Sequence, residues 1–149
     1  VTGVQTCALP ISLDNAPGVH SARFADNWIA PESAAKFLKE SSSASLIAPK
    51  YQKIMQRLLY ELESKGKSRK ARFRTVITLY YKREYHTFEG IVNGKIAEKI
   101  EGTNGFGYDA VFVPDGYNTT IAQLGEQEKN SISHRGIALR KLAQFLKER

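Results

Sequence analysis

The stretch that decides the fold of this chain is residues 102–136, GTNGFGYDAVFVPDGYNTTIAQLGEQEKNSISHRG. Its first part places glycines and an asparagine around two aromatic side chains, Phe106 and Tyr108. Gly and Asn permit the positive φ angles of a tight loop, and Gly lets a ligand approach the backbone closely. An apolar run follows at residues 110–113 and ends at a Pro-Asp-Gly turn sequence. The pattern predicts a ligand-binding loop that leads into a short buried strand.

The second part of the stretch, residues 128–135 (EKNSISHR), stands directly ahead of a predicted helix. Ser131 or Ser133 can cap the first turn of that helix. The helix dipole favours acceptor-rich or anionic ligands near His134 and Arg135. The helix itself is predicted from an apolar stripe with helical spacing, made of Ala138, Leu139, Leu142, Phe145 and Leu146. Together the two parts predict a pocket for a flat, acceptor-bearing ring with charged appendages, such as a purine nucleotide.

Three motifs resemble those of one enzyme family: APGVHSAR at residues 16–23, FGYD at 106–109 and EKNSISHR at 128–135. The family is that of the non-canonical purine nucleoside triphosphate pyrophosphatases, the inosine triphosphatase (ITPase) or dITP/XTP pyrophosphatase family. The resemblance extends from about Ser12 to the C-terminus. It implies an ITPase-like α/β fold, an elongated mixed β-sheet with packed helices. It also implies a hydrolase that cleaves ITP, dITP or XTP to the monophosphate and pyrophosphate, and so cleans the nucleotide pool.

The resemblance implies a set of substrate-binding residues, which are Phe106, Gly107, Tyr108, Asp109, Lys129, Ser133, His134 and Arg135. Their chemistry fits a keto purine. Lys and Arg side chains carry hydrogen-bond donors only, so Lys129 and Arg135 can face the carbonyl oxygen of hypoxanthine or xanthine. They reject the amino group of adenine, because donor would face donor. Phe106 is expected to stack on the base.

Each of these residues also has a purely structural interpretation. Phe106 and Tyr108 could be core aromatics, and Asp109 could cap a turn. Lys129 could be a solvated surface charge. His134 could be structural, and Arg135 could pair with Glu128, which is near in sequence.

The family's catalytic and metal-binding motifs are not found in this sequence. These are a phosphate-binding SxNxxK segment, a metal-binding Glu and a DDSGL segment that carries the general-base Asp. No catalytic and no metal-binding residue is therefore assigned here. Residues 1–11 are interpreted as an adapter-like, non-native stretch, with a genuine short strand as the alternative. Residues 12–149 are interpreted as the C-terminal two-thirds of a single ITPase-like domain whose N-terminal part is missing, and this chain alone is expected to be inactive.

The resemblance implies Mg²⁺ as the cofactor, a purine nucleoside triphosphate as the partner and a homodimer in the complete protein. The single Cys7 cannot form an internal disulfide, and no apolar run reaches transmembrane length. We therefore expect a cytoplasmic protein without a membrane partner.

The net charge is +7, with 22 Lys and Arg against 15 Asp and Glu. Basic residues are concentrated in residues 50–83, which indicates either a solvated face or an attraction for polyanions. A basic nucleic-acid-binding module, using the YYKR sequence at residues 80–83, is therefore the alternative function. Nucleic acid is not an expected partner of the enzyme.

The remaining patterns predict one α/β domain without internal repeats. Helices are predicted near residues 31–38 and over residues 51–63, where apolar residues recur with helical spacing. Alternating apolar residues predict a strand over residues 72–81. The Asn-Gly pair at residues 93–94 predicts a hairpin turn between strands over residues 85–92 and 95–100.

Overall fold

The computed structural model describes residues 2–13, 16–18, 23–39, 47–66, 68–103 and 107–148, with side chains from Arg23 onward. Five strands form one sheet in the order β2-β1-β3-β4-β5. Their bounds are Thr2–Leu13 (β1), Ala16–Gly18 (β2), Lys70–Tyr81 (β3), Glu84–Ile96 (β4) and Phe112–Pro114 (β5). Helices pack on this sheet, which confirms the predicted α/β class. All four described strand pairings are antiparallel, so the parallel pairing of a mixed sheet is not seen among them.

The described helices are α1 (Lys36–Lys39), α2 (Pro49–Lys65), α3 (Glu126–Ile132) and α4 (His134–Lys147). A 3₁₀ turn at Glu32–Ala35 leads into α1. Helix α2 confirms the prediction over residues 51–63, because its apolar stripe lies in the core, with Leu58 and Leu59 fully buried. None of the described helices is both long and apolar enough to cross a membrane.

Strand β3 is the central strand of the sheet and confirms the predicted alternation. Its residues alternate strictly between a buried and an exposed face over the first half of the strand. The buried face carries Ala71, Phe73, Thr75, Ile77 and Leu79. Phe73 joins the same core cluster as the buried side chains of α2. The helices therefore pack on this face of the sheet.

The predicted hairpin turn at residues 93–94 is wrong, because Asn93 and Gly94 lie inside the continuous strand β4. The turn lies at Lys82 and Arg83, whose φ angles of 51° and 65° are those of a tight two-residue hairpin. Gly94 serves close packing instead: a Cβ there would lie 2.3 Å from the carbonyl oxygen of Val113. Packing against β5 therefore requires the glycine that the sequence pattern assigns to a turn.

Strand β1 covers the interpreted non-native stretch. Its backbone pairs with β3 from Thr2 opposite Tyr80 to Ile11 opposite Ala71. This geometry agrees with the alternative of a strand. The predicted division of the chain at residue 11 is not tested by the pairing and stays a prediction.

Helix α4 lies unusually close to the sheet. A Cβ added at Gly90 in β4 would lie 1.9 Å from the carbonyl oxygen of His134 and 2.9 Å from the backbone nitrogen of Ala138. Near the other end of the helix, Phe145 packs against Tyr81, His86 and Phe88 of the β3–β4 hairpin. The absence of a side chain at Gly90 therefore sets the distance between helix and sheet.

The predicted apolar stripe of α4 is only partly buried. Ala138 is buried and Leu142 is half-buried, but Leu139 and Leu146 are 53% and 47% exposed. The line of contact runs through Ala138, where the helix backbone meets Gly90. Leu139 and Leu146 lie to the side of that line. The helix predicted from the stripe is therefore confirmed, but these two residues are outside its contact with the sheet.

Substituting Gly90 tests the close approach. Gly90→Ala is expected to lower the free energy of unfolding by about 2 kcal/mol or more, because the added methyl group meets rigid backbone. Gly125→Ala is the matched control, since a Cβ there meets nothing within 4 Å and its φ of −70° suits alanine. It should cost less than about 1 kcal/mol. Urea denaturation measures both, and equal effects would contradict the packing at Gly90.

Candidate functional site

The predicted binding loop is anchored at its base. Glu101 N–H donates to the carbonyl of Ala110 at 2.8 Å, and Ala122 N–H donates to the carbonyl of Asp109 at 3.0 Å. The buried hydroxyl of Thr120 donates to the carbonyl of Glu101 at 2.6 Å. Gly107 has a φ of 63°, so it uses the left-handed conformation that the sequence predicts for this loop. The backbone on the C-terminal side of the loop is thus held at several points.

An ion pair joins this loop to helix α3. The ammonium group of Lys129 lies 2.9 Å from Oδ2 of Asp109, and the two side chains are only 18% and 15% exposed. Partial burial strengthens such a pair, because little water competes for either charge. Lys129 is therefore not the solvated surface charge of the alternative interpretation. The pair brings the FGYD and EKNSISHR motifs into one place.

Ser133 separates α3 from α4 and caps the second helix. Its hydroxyl accepts a hydrogen bond from the backbone N–H of Gly136 at 3.0 Å, which confirms it as a predicted cap. Arg140 of α4 donates to the carbonyl of Ser131 at 3.1 Å and so links the two helices. His134 and Arg135 are thus the first two residues of α4, near the positive end of its dipole.

His134 is held between α4 and strand β3. Its ring stacks on Phe73, with centroids 5.0 Å apart and planes 12° apart. Its Nδ1 is hydrogen-bonded to the hydroxyl of Thr75. Burial, and to a smaller extent the charge of Arg135, lowers the pKa of His134 from 6.5 to about 4. The imidazole is therefore neutral at neutral pH, with one ring nitrogen as donor and the other as acceptor.

The other predicted site residues are placed differently. Tyr108 is 4% exposed and belongs to the core, as in its structural interpretation. Burial raises its pKa above the ordinary value, and the nearby charge of Arg57 offsets part of that shift. Arg135 is exposed at the surface. Phe106 lies outside the described residues, and its predicted stacking on a base stays a prediction.

The described residues offer no metal site. Among residues 23–39, 47–66, 68–103 and 107–148, no group of three or more His, Cys, Asp and Glu side chains is placed to hold an ion. No chemical step is therefore assigned to a magnesium ion held by these residues.

The sequence profile of the Ham1 family matches residues 10–145. The chain belongs to the Ham1 family. Its structure is similar to that of a HAM1 protein from Coxiella burnetii, with a TM-score of 0.78 and 33% identity over 99% of this chain and 67% of that one. The family predicted from the three motifs is confirmed.

Two relatives of this Ham1-family chain carry the name dITP/XTP pyrophosphatase. The Porphyromonas gingivalis protein is 42% identical over 135 residues, which cover 91% of this chain and 59% of the relative. The Thermococcus kodakarensis protein is 38% identical over 137 residues, 85% of this chain and 74% of the relative. The chain thus spans about three-fifths of the length of the first of these relatives.

Sequence reasoning missed the residues that hold His134, namely Phe73, Thr75 and Gly90. One signal was present: Thr75 is the polar member of an otherwise apolar alternating face. A buried hydroxyl needs a partner. The sequence does not say that the partner is a histidine 59 residues later.

Removing the carboxylate of Asp109 tests the ion pair. Asp109→Asn should lower the free energy of unfolding by about 2–3 kcal/mol, because the ammonium of Lys129 keeps its charge in a poorly solvated place. Glu63→Gln is the matched control, since the pair of Lys36 and Glu63 is 47% and 51% exposed. It should cost less than about 1 kcal/mol. A loss for Asp109→Asn no larger than for the control would contradict the assigned role.

The neutral state of His134 predicts a dependence of stability on pH. Because its pKa is lower in the folded state than in the unfolded chain, the folded state is fully favoured above pH 6.5 and loses that advantage as the pH falls towards 4. Between these values unfolding takes up about one additional proton at this site. His134→Gln should remove that contribution. Urea denaturation from pH 7 to 4 measures it, and an unchanged slope in the variant would contradict the burial of a neutral ring.

Proposed function

We propose that this chain forms the base-recognition part of a pyrophosphatase that converts ITP, dITP or XTP to the monophosphate and pyrophosphate. The observation that carries the proposal is the ion pair between Asp109 and Lys129. It brings the two motifs together, which supports a single site, and the relatives named dITP/XTP pyrophosphatase support the substrate class. In this account the protein removes non-canonical purine nucleotides from the nucleotide pool.

The selectivity for keto purines over adenine follows from two side chains that can donate hydrogen bonds but cannot accept them. A lysine ammonium and an arginine guanidinium present N–H groups only, so Lys129 and Arg135 bind the carbonyl oxygen of a keto purine. Adenine has an amino group, which is a donor, at the position where the keto purines have the carbonyl oxygen. Such donor–acceptor matching discriminates between bases by about 1–3 kcal/mol in nucleic-acid recognition. The ion pair with Asp109 keeps the Lys129 side chain near one position, which sharpens the discrimination.

His134 adds directional hydrogen bonding without adding charge. Its neutral ring lies at the start of α4, next to Arg135. The charge that attracts a polyphosphate then comes from Arg135 and the helix dipole. Phe106 is proposed to stack on the purine, and Tyr108 to support the loop from the core.

Three further proposals rest on the family resemblance alone. They are that the complete protein uses Mg²⁺, forms a homodimer and resides in the cytoplasm. The described residues hold no metal site, so the groups that bind the ion and activate water are proposed to lie outside them.

A chimera tests the proposed function. Residues 12–149 follow the N-terminal segment of the Porphyromonas gingivalis relative, and the product is assayed with ITP, XTP and ATP in the presence of Mg²⁺. We expect IMP and pyrophosphate from ITP, with little turnover of ATP. In this background Arg135→Ala and Lys129→Ala should each lower the ITP-to-ATP ratio of kcat/KM by about 10-fold or more.

Lys147→Ala, in the exposed last turn of α4, is the control and should keep the original ratio. Circular dichroism confirms that each variant is folded. Release of single phosphates would overturn the reaction class, and an unchanged ratio in both site variants would overturn the assigned base contacts. Tight binding of an oligonucleotide with no effect of ITP would favour the nucleic-acid-binding alternative.

A further inference from the structure

Thr75 is a buried polar residue that the proposed function does not yet use. It lies on the inner face of β3 with 0% exposure, between Phe73 and Ile77. Burying a hydroxyl group without a partner is costly. One partner of this hydroxyl is Nδ1 of His134, the residue that begins α4.

The cross-strand neighbour of Thr75 shapes the same place. Thr75 pairs with Gly90 of β4, so the two residues share the inner face of the sheet. The missing side chain at Gly90 lets the carbonyl of His134 approach the sheet. Gly90 thus locates the backbone of His134, and Phe73 fixes the plane of its ring. The ring of His134 can then still rotate by 180° and return to the same plane of stacking, which exchanges the edge that carries Nδ1 with the opposite edge.

We propose that Thr75 is a positioning residue, whose hydroxyl binds Nδ1 and so presents Nε2 of His134 to the purine nucleotide in one ring orientation. Within the described residues Nε2 has no hydrogen-bond partner. No buried side-chain nitrogen or oxygen in that part of the chain lacks one, so Nε2 is accessible to solvent. The proposal rests on the proposed function and adds a residue from the central strand to it.

The chemical consequence lies in the tautomer. A neutral imidazole has one donor and one acceptor nitrogen, and the bond made by one nitrogen decides which role is left to the other. The hydroxyl of Thr75 can donate to Nδ1 or accept from it, and the role that it takes leaves the opposite role to Nε2. Without Thr75 both tautomers and both ring orientations become accessible. A nucleotide would then meet the correct atom of His134 only part of the time, so its apparent affinity would fall.

The test compares Thr75→Val, which keeps the shape and loses the hydroxyl, with Thr75→Ser, which keeps the hydroxyl. Thr87→Val, at an exposed position of β4, is the control for the same change elsewhere in the sheet. The 149-residue chain is labelled with ¹⁵N in its histidine rings. The ring nitrogen shifts are recorded at pH 7 without nucleotide, and ITP is then titrated.

We expect two widely separated ring shifts for His134 in the original chain, in Thr75→Ser and in Thr87→Val. In Thr75→Val the two shifts should move towards each other. The dissociation constant for ITP should rise about 3- to 10-fold in Thr75→Val, the range expected for one neutral hydrogen bond, and change less than about 2-fold in Thr75→Ser.

Averaged ring shifts in the original chain would overturn the proposal even if Thr75→Val fails to fold. It would also be overturned if Thr75→Val were folded with unchanged shifts and affinity, or if Thr75→Ser behaved like Thr75→Val. The nucleotide-free spectra test whether Nδ1 is held in one hydrogen bond, and the titration tests the proposed function. A fixed ring in a chain that binds no ITP would therefore overturn the nucleotide site and not the role of Thr75 in orienting His134.

Discussion

The close approach of α4 to the sheet at Gly90 is the constraint on which the rest of the structure depends. A side chain at this position would collide with the backbone of His134 and Ala138, so the helix can lie this close only over a glycine. The approach puts His134 against Phe73 of the central strand. It also leaves Leu139 at the edge of the contact, where it is exposed. The position of the helix thus determines which of its residues pack in the core and which lie in the candidate site.

The second organising interaction is the ion pair of Asp109 and Lys129, which connects the binding loop with α3. Helix α3 is short, and none of its residues is buried, so packing alone does not hold it. The ion pair and the hydrogen bond from Arg140 to Ser131 hold the helix against the loop and against α4. The candidate site is therefore held by electrostatic contacts and rests on elements that pack in the core. Donor groups can therefore lie at the surface while the helices and strands that carry them keep their positions.

The sequence predicted those parts of the fold whose signals are local. The alternation along β3, the stripe of α2 and the cap at Ser133 each depend on neighbours within a few residues. The structure pairs Asp109 with Lys129 and places His134 at the start of α4. Their predicted role in substrate binding stays a prediction. Long-range contacts were not predictable in this way. Gly94 carries a turn signal but serves packing against β5, whereas the true turn at Lys82 and Arg83 has neither Gly nor Asn. The contacts of Lys129 with Asp109 and of Thr75 with His134 depend on how whole elements are arranged, and spacing along the chain does not encode that.

The central claim is that residues 107–110 and residues 129–136 form one purine nucleotide site. Titration of ITP into the uniformly ¹⁵N-labelled chain, followed by backbone amide shifts, tests it most directly. The account predicts that amides of both segments shift together and give the same dissociation constant, while those of Tyr80 and Tyr85 at the hairpin end do not respond. Shifts confined to one segment, or centred on the basic hairpin end, would contradict it.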